Sequence, residues 1–179
     1  MAQVTEDLVY NEEHANDGVT NWSNTTTSND SYGSISGTGK FIIFGLTNLS
    51  QTPTSIDSIQ YFAEAQCGSA ATMVIQHEFL NSSNTQLYTE NEGYSTDTDN
   101  TVSGTIRTTS DGSTAWTEND INTLRVKLTY ITEAGAVGTA LIDHIYVRVK
   151  YNVADPSAGL IKLNSGKIKL NSGLVKIIA

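Results

Sequence analysis

Strict alternation of apolar and polar residues in the second half of the chain restricts the fold more than any other feature. In INTLRVKLTYI (residues 121–131), Leu124, Val126, Leu128 and Tyr130 share one face, and Arg125, Lys127 and Thr129 share the other. A period of two sends successive side chains to opposite faces of an extended strand, so one face is buried and one is wet. ALIDHIYVRVKYNV (140–153) repeats the pattern, with Leu141, Ile145, Val147, Val149 and Tyr151 opposite His144, Tyr146, Arg148 and Lys150. Gly135 and Gly138 lie between these two segments and predict a long hairpin. Further strands are expected at KFIIFGL, SIDSIQYFAEA and ATMVIQHEF, and weaker ones at TQLYTE and TVSGTIR. The turn-rich pieces NSSN, STDTDN and TSDGS separate them. Helical periodicity is nearly absent. One turn is predicted at WTENDIN, where Thr117 caps and Asp120 supplies the acid of an approximate capping box. Short strands with this punctuation imply an all-β fold, an antiparallel β-sandwich or jelly roll over residues 1–154.

Two segments depart from that pattern. Residues 11–39 are rich in Asn, Thr, Ser and Gly, and are expected to be extended and loop-like with few hydrogen bonds of their own. Trp22 and Tyr32 argue that part of this stretch lies against the body. Residues 155–179 follow the break DPSAG and carry a near-repeat, IKLNSGKIKLNSGLVKI. Two-residue Ser-Gly loops at Ser165-Gly166 and Ser172-Gly173 set Leu163 opposite Ile168 and Lys162 opposite Lys169, so the faces match. A one-residue slip would scramble them. The segment reads as a three-stranded β-meander arm.

Charge separates the arm from the body. All 19 acidic residues precede position 160, whereas Lys162, Lys167, Lys169 and Lys176 fall in an acid-free tail. An isolated meander is too small to be stable, and lysines facing one another repel. Its apolar side and its basic side both need a partner. The arm either folds back on its own acidic domain or docks on a neighbour, and docking is the expectation. The predicted assembly interface is Ile161, Lys162, Leu163, Ile168, Lys169, Leu170, Val175, Lys176 and Ile177. Its expected partners are other copies of the chain, as a homo-oligomer such as a trimer, or the surface of another protein.

The net charge of −9 argues against a nucleic-acid partner. No stretch approaches the ~20 apolar residues of a membrane span, so no membrane partner is expected. The start, MAQVTEDLVYNEE, has neither a basic nor an apolar leader segment, which points to synthesis in a host cytoplasm. The single cysteine, Cys67, sits among small residues and reads as a buried free thiol.

No catalytic motif stands out, and no enzyme activity, cofactor or metal is expected. His14, His77 and His144 lack metal-ligand spacing. Asp97 and Asp99 share the i, i+2 spacing of calcium loops but lack the accompanying glycine and terminal Glu, so a solvated turn is expected. Glu64, Glu78 and Glu118 could serve a glycosidase only if two of them met across a cleft. Asp143 falls on an apolar face and requires an ion pair or backbone hydrogen bonds. Trp116 reads as a plug at one end of the sandwich.

Taken in order, NWSN (21–24), NDSYGS (29–34), LTNLSQTPTSIDSIQYFAEAQ (46–66), WTENDINTLRVKLTY (116–130) and IDHIYVRVKY (142–151) carry a resemblance. The arrangement resembles the jelly-roll-like β-sandwich domains of structural proteins in tailed bacteriophages. The turn before the second strand reads PTSIDSI here, with Asp57 where that family commonly has glycine. The resemblance implies a non-enzymatic virion component, a capsid decoration protein or a head or tail appendage, whose arm would dock on its own copies or on a major capsid or tail protein. The alternative is a carbohydrate-binding β-sandwich for host-surface glycans, which an exposed Trp22 or several tyrosines in a shallow groove would support.

Overall fold

A computed structural model of the chain describes residues 1–68, 72–95, 100–134 and 138–155. The strands are β1 (Ala2–Asp17), β2 (Val19–Thr20), β3 (Gly33–Ser36), β4 (Phe41–Leu46), β5 (Ser55–Cys67), β6 (Thr72–Leu80), β7 (Gln86–Ser95), β8 (Asn100–Ser103), β9 (Arg125–Ala134) and β10 (Thr139–Val153). A 3₁₀ turn at Trp22–Thr25 and a single short helix, α1 (Glu118–Asn122), complete the described elements.

Every described pairing is antiparallel. One sheet places β10 between β5 and a split edge, with the start of β1 at one end and β3 at the other; β8 flanks β5 and β2 flanks β3. The second sheet runs β1, β4, β9, β6, β7. β1 joins both, pairing with β10 through Val9 and with β4 from Tyr10 onward. The inner faces enclose Ile42, Phe44, Ile59, Tyr61, Ile75, Phe79, Val126, Leu128, Tyr130, Val147 and Tyr151, all essentially inaccessible. Each such side chain contributes ~1.5–3 kcal/mol on burial. The all-β sandwich expected from the alternation is therefore present.

Three expectations are corrected. β9 and β10 are not a hairpin: β9 lies between β4 and β6, and β10 lies in the opposite sheet. Two strands that each bury one face can pair edge to edge or face each other across a core; their alternation is the same in both cases. Within residues 11–39, expected to be loop-like, residues 11–17 belong to the longest described strand, β1, and residues 33–36 form another strand. β1 carries charge because it is an edge strand in both sheets, where charged side chains discourage unwanted pairing. Asp57 lies inside β5, within the strand expected at SIDSIQYFAEA and not in the turn that the family resemblance would place there, and accepts hydrogen bonds from Gln3 Nε2 and Asn152 Nδ2, each at 2.8 Å.

The phase of β10 also shifts. A register irregularity between Ile142 and His144 inserts Asp143 as an extra residue. Ile142 rather than Leu141 then faces the core. Asp143 is buried, and its carboxylate accepts from the backbone N–H groups of Asn29 (3.1 and 3.2 Å) and Ser31 (3.1 Å). Asp30, between those donors, has a left-handed φ of 58°. The Asn29 and Ser31 N–H groups thus converge on one carboxylate from either side of Asp30.

The capping box of α1 is formed: Thr117 Oγ1 accepts from Asp120 N at 3.2 Å, and Asp120 Oδ2 accepts from Thr117 N at 2.9 Å. Trp116 is buried and donates from Nε1 to the Arg107 carbonyl at 3.2 Å. Cys67 is a buried free thiol.

Candidate functional site

The outer face of the second sheet carries two neighbouring pockets that together make a candidate groove along the β4–β9 pair. Its first part, a pocket of about 340 Å³, lies where β1, β4 and β9 meet the end of α1; Asn11, Glu12, His14, Asn48, Asn122 and Arg125 line it. The second, of about 470 Å³, lies further along the same strands over Phe41, Ile43, Leu80, Glu78, Lys127 and Thr129. Gly45 pairs with Arg125, and Ile43 with Lys127, so the two parts are one strand repeat apart. Arg125 Nη1 donates to Asn84 Oδ1 at 2.7 Å, linking a residue of the first part to one of the second.

Local sequence explains why these groups converge. β1 has irregularities between Tyr10 and Glu12 and between Glu13 and Ala15. Leu8 and Tyr10 point inward, Tyr10 against Phe44 at 5.9 Å between ring centroids. The extra residue then reverses the phase, and Glu12 pairs with outward-facing Gly45; bulges re-aim side chains in this way. A Cβ on Gly45 would stand 3.0 Å from His14 Nε2 and 3.3 Å from Glu12 Cγ, so glycine admits both groups to the pocket floor. The rim is fixed by Asn122 Oδ1, which accepts from Leu49 N at 2.9 Å, and by Asn81 Oδ1, which accepts from Ser83 and Thr85 N, each at 2.9 Å.

The chemistry is mixed. Lys127 pairs with Glu78 at 2.7 Å and lies 5.7 Å from the Phe41 ring centroid. Phe41, Ile43 and Leu80 give an apolar floor, and His14 stands 3.4 Å from Glu12. The buried Thr129 hydroxyl in that floor has no hydrogen-bond partner among the described residues. Amides, an imidazole, a guanidinium and a hydroxyl therefore surround a narrow apolar strip.

The opposite outer face is closed upon itself. Phe62 and Tyr146 stack at 4.9 Å with their planes 7° apart. Arg148 covers both rings, at 5.0 and 5.4 Å, and is held by a bidentate pair to Asp7 at 2.7 and 2.8 Å. His144 leans on Tyr146 at 4.9 Å.

The structure brings few of the sequence candidates together. His14 joins the groove and His144 the far face, while His77 is buried between the sheets. Glu64 pairs with His144 on one outer face and Glu78 lies on the other, so they do not form a catalytic carboxylate pair. Trp22, whose exposure would have marked a sugar platform, is buried 5.6 Å from Phe44. Asp97, Asp99 and the whole predicted arm interface, Ile161 to Ile177, lie outside the described residues. The groove was not anticipated from sequence. Its one legible signal is Gly45, a glycine inside an apolar strand, which marks a close approach or a bulge.

No family model matches the sequence. No curated protein matches it. Solved structures do. A truncated AlyQ with CBM32 and alginate lyase domains aligns over 86% of this chain and 35% of its own, at 16% identity and a TM-score of 0.52. The chain thus spans about a third of that protein. The xylan-binding module CBM15 aligns over 86% of this chain and 100% of its own, at 13% identity and a TM-score of 0.46. The enzymatically active domain of bacteriophage CBA120 tailspike protein 4 aligns over 81% and 19%, at 13% identity and a TM-score of 0.37. The AlyQ likeness establishes a shared β-sandwich fold.

Proposed function

We propose that this chain is a carbohydrate-binding β-sandwich module, and that an oligosaccharide lies along the groove on the outer face of the β1–β4–β9–β6–β7 sheet. The observation that carries the reading is the composition of that groove. A sugar presents apolar C–H faces ringed by hydroxyls, each both donor and acceptor. Phe41, Ile43 and Leu80 offer the apolar strip, and the amides of Asn11, Asn48, Asn84 and Asn122 offer donor and acceptor together. Arg125 and His14 add fixed planar hydrogen-bonding groups, and the two volumes lie within the ~300–1,000 Å³ of ligand sites. The fold shared with the AlyQ protein, which contains a CBM32 domain, supports the same reading.

Affinity electrophoresis through gels containing neutral and uronate polysaccharides, xylan and alginate among them, followed by a glycan array, tests it. Phe41→Ala and Arg125→Ala should each weaken retention at least tenfold. Phe62→Ala, on the closed face, should leave it unchanged. Silence on every glycan, or loss with Phe62→Ala alone, rejects the groove.

A second reading concerns residues 155–179. Their positive charge beside an acidic body supports an arm that joins the module to its own copies or to a larger particle, as the virion resemblance implies. The two readings are compatible, since one uses the groove and the other the tail.

A further inference from the structure

A second cluster of polar groups sits between the sheets, away from the groove. His77 on β6 is 3% exposed and stacks on Tyr61 of β5, with ring centroids 4.0 Å apart and planes 9° apart. Its Nε2 lies 3.5 Å from Glu90 Oε2, and its Nδ1 lies 3.9 Å from Glu92 Oε1. Both glutamates belong to β7 and point inward, flanked by Tyr88 and Tyr94. Inward-pointing carboxylates are costly unless something compensates their charge. Arg107 pairs with Glu90, and Thr105 N donates to Glu90 Oε2 at 2.7 Å. Among the described residues Glu92 has no such cation.

We propose that His77, Glu90 and Glu92 form a binding site for a divalent transition-metal ion, zinc by preference, between the two sheets. One ligand atom from each lies within 4.8 Å of the other two. Zinc bonds to nitrogen and oxygen of about 2.0–2.2 Å are reached if the three side chains close on a common centre by small rotations. Independent of this spacing, the Nδ1 of His77 is buried with no hydrogen-bond partner among the described residues. A buried ring nitrogen facing a carboxylate is a donor set that a cation can complete.

A further observation agrees. A Cβ at Gly104 would meet Glu90 Oε2 at 2.7 Å and His77 Cε1 at 2.9 Å, so glycine lets the chain after β8 close over the cluster without displacing it. An imidazole among carboxylates suits zinc better than calcium or magnesium, and zinc binds such sets more tightly than manganese.

The test uses the untagged full chain after chelator treatment. Zinc is titrated calorimetrically at pH 7, and cobalt is titrated by visible absorption as a coordination probe. The expected result is one equivalent of zinc, with a melting temperature about 5–10 °C higher at a hundredfold excess over Kd. Glu92→Gln, at the solvent edge of the cluster, should weaken zinc at least tenfold and remove the cobalt band. His14→Asn, at the other His/Glu contact, should change neither. No binding up to millimolar zinc overturns the proposal. So does binding that Glu92→Gln leaves intact, or binding that His14→Asn abolishes.

Discussion

Replacing Asp143 by asparagine should unfasten the loop after the 3₁₀ turn from β10. The carboxylate is 1% exposed and accepts from Asn29 N with both oxygens and from Ser31 N with Oδ1. In Asp143→Asn one acceptor becomes an NH₂ group that confronts the Asn29 N–H. The other oxygen survives as a neutral acceptor. Hydrogen bonds to a charged group contribute ~1.5–3 kcal/mol each, and a buried donor left unpaired costs a similar amount. Losing one such bond and weakening the second gives a destabilisation of about 2–3 kcal/mol. For a chain of this length 1 kcal/mol moves the melting temperature by about 2–4 °C, so a fall of roughly 4–12 °C is expected. Calorimetry reads that fall, and amide exchange should show lost protection at Asn29 and Ser31 specifically. A melting point within about 1 °C of wild type, with both amides as protected as before, would refute the idea that this carboxylate pins the loop.

Two other outcomes are expected. Asp111 accepts from Ser113 N and Thr114 N at 2.9 and 2.7 Å, and these hydrogen bonds, Thr114's first, lower its pKa from 3.8 to about 2. The folded value is the depressed one, so the turn is fully supported above about pH 4 and loosens as the pH falls towards 2; NMR shifts of Ser113 and Thr114 amides that move instead near pH 4 would contradict it. For the arm, full-length protein should be larger than a 1–157 truncation at low salt and approach it at 1 M salt, where charges are screened beyond about 3 Å; light scattering that finds the same monomer throughout removes the assembly role.

Much of the fold was legible because period two is a direct image of a strand with one wet face. β4, β5, β6, β9 and β10 were found on that ground. The same signal fails where a strand has little core to touch. β1 buries Leu8 fully but places EDL, NEE and HAND along two sheet edges, so charge hides the strand. Pairing is a separate matter from alternation, and the wrong hairpin between β9 and β10 follows from that: parity says which face is buried, never which neighbour lies beside it. Asp143 was recognisable as an anomaly, yet the bulge that accommodates it also reversed the phase of Leu141 and Ile142. The groove was illegible for the same kind of reason. It depends on two irregularities in β1 that bring Glu12 and His14 beside Gly45, and no local pattern announces a bulge in a charged edge strand.

The two outer faces also differ in what they leave unmade. On the β10–β5 face the planar groups satisfy one another: Phe62 faces Tyr146, Arg148 covers both, and Asp7 takes the guanidinium. A ligand arriving there would have to break those contacts before making its own. On the β4–β9 face, among the described residues, the Thr129 hydroxyl is unpartnered and Arg125 has a single side-chain hydrogen bond, to Asn84. On that face the Arg125 guanidinium and the amides of Asn11 and Asn48 stand near the apolar strip of Phe41 and Ile43, and no stacked ring pair has to part before a ligand makes its contacts. That asymmetry, more than the volume of either cavity, is the reason the proposed oligosaccharide is placed in the groove and not on the β10–β5 face.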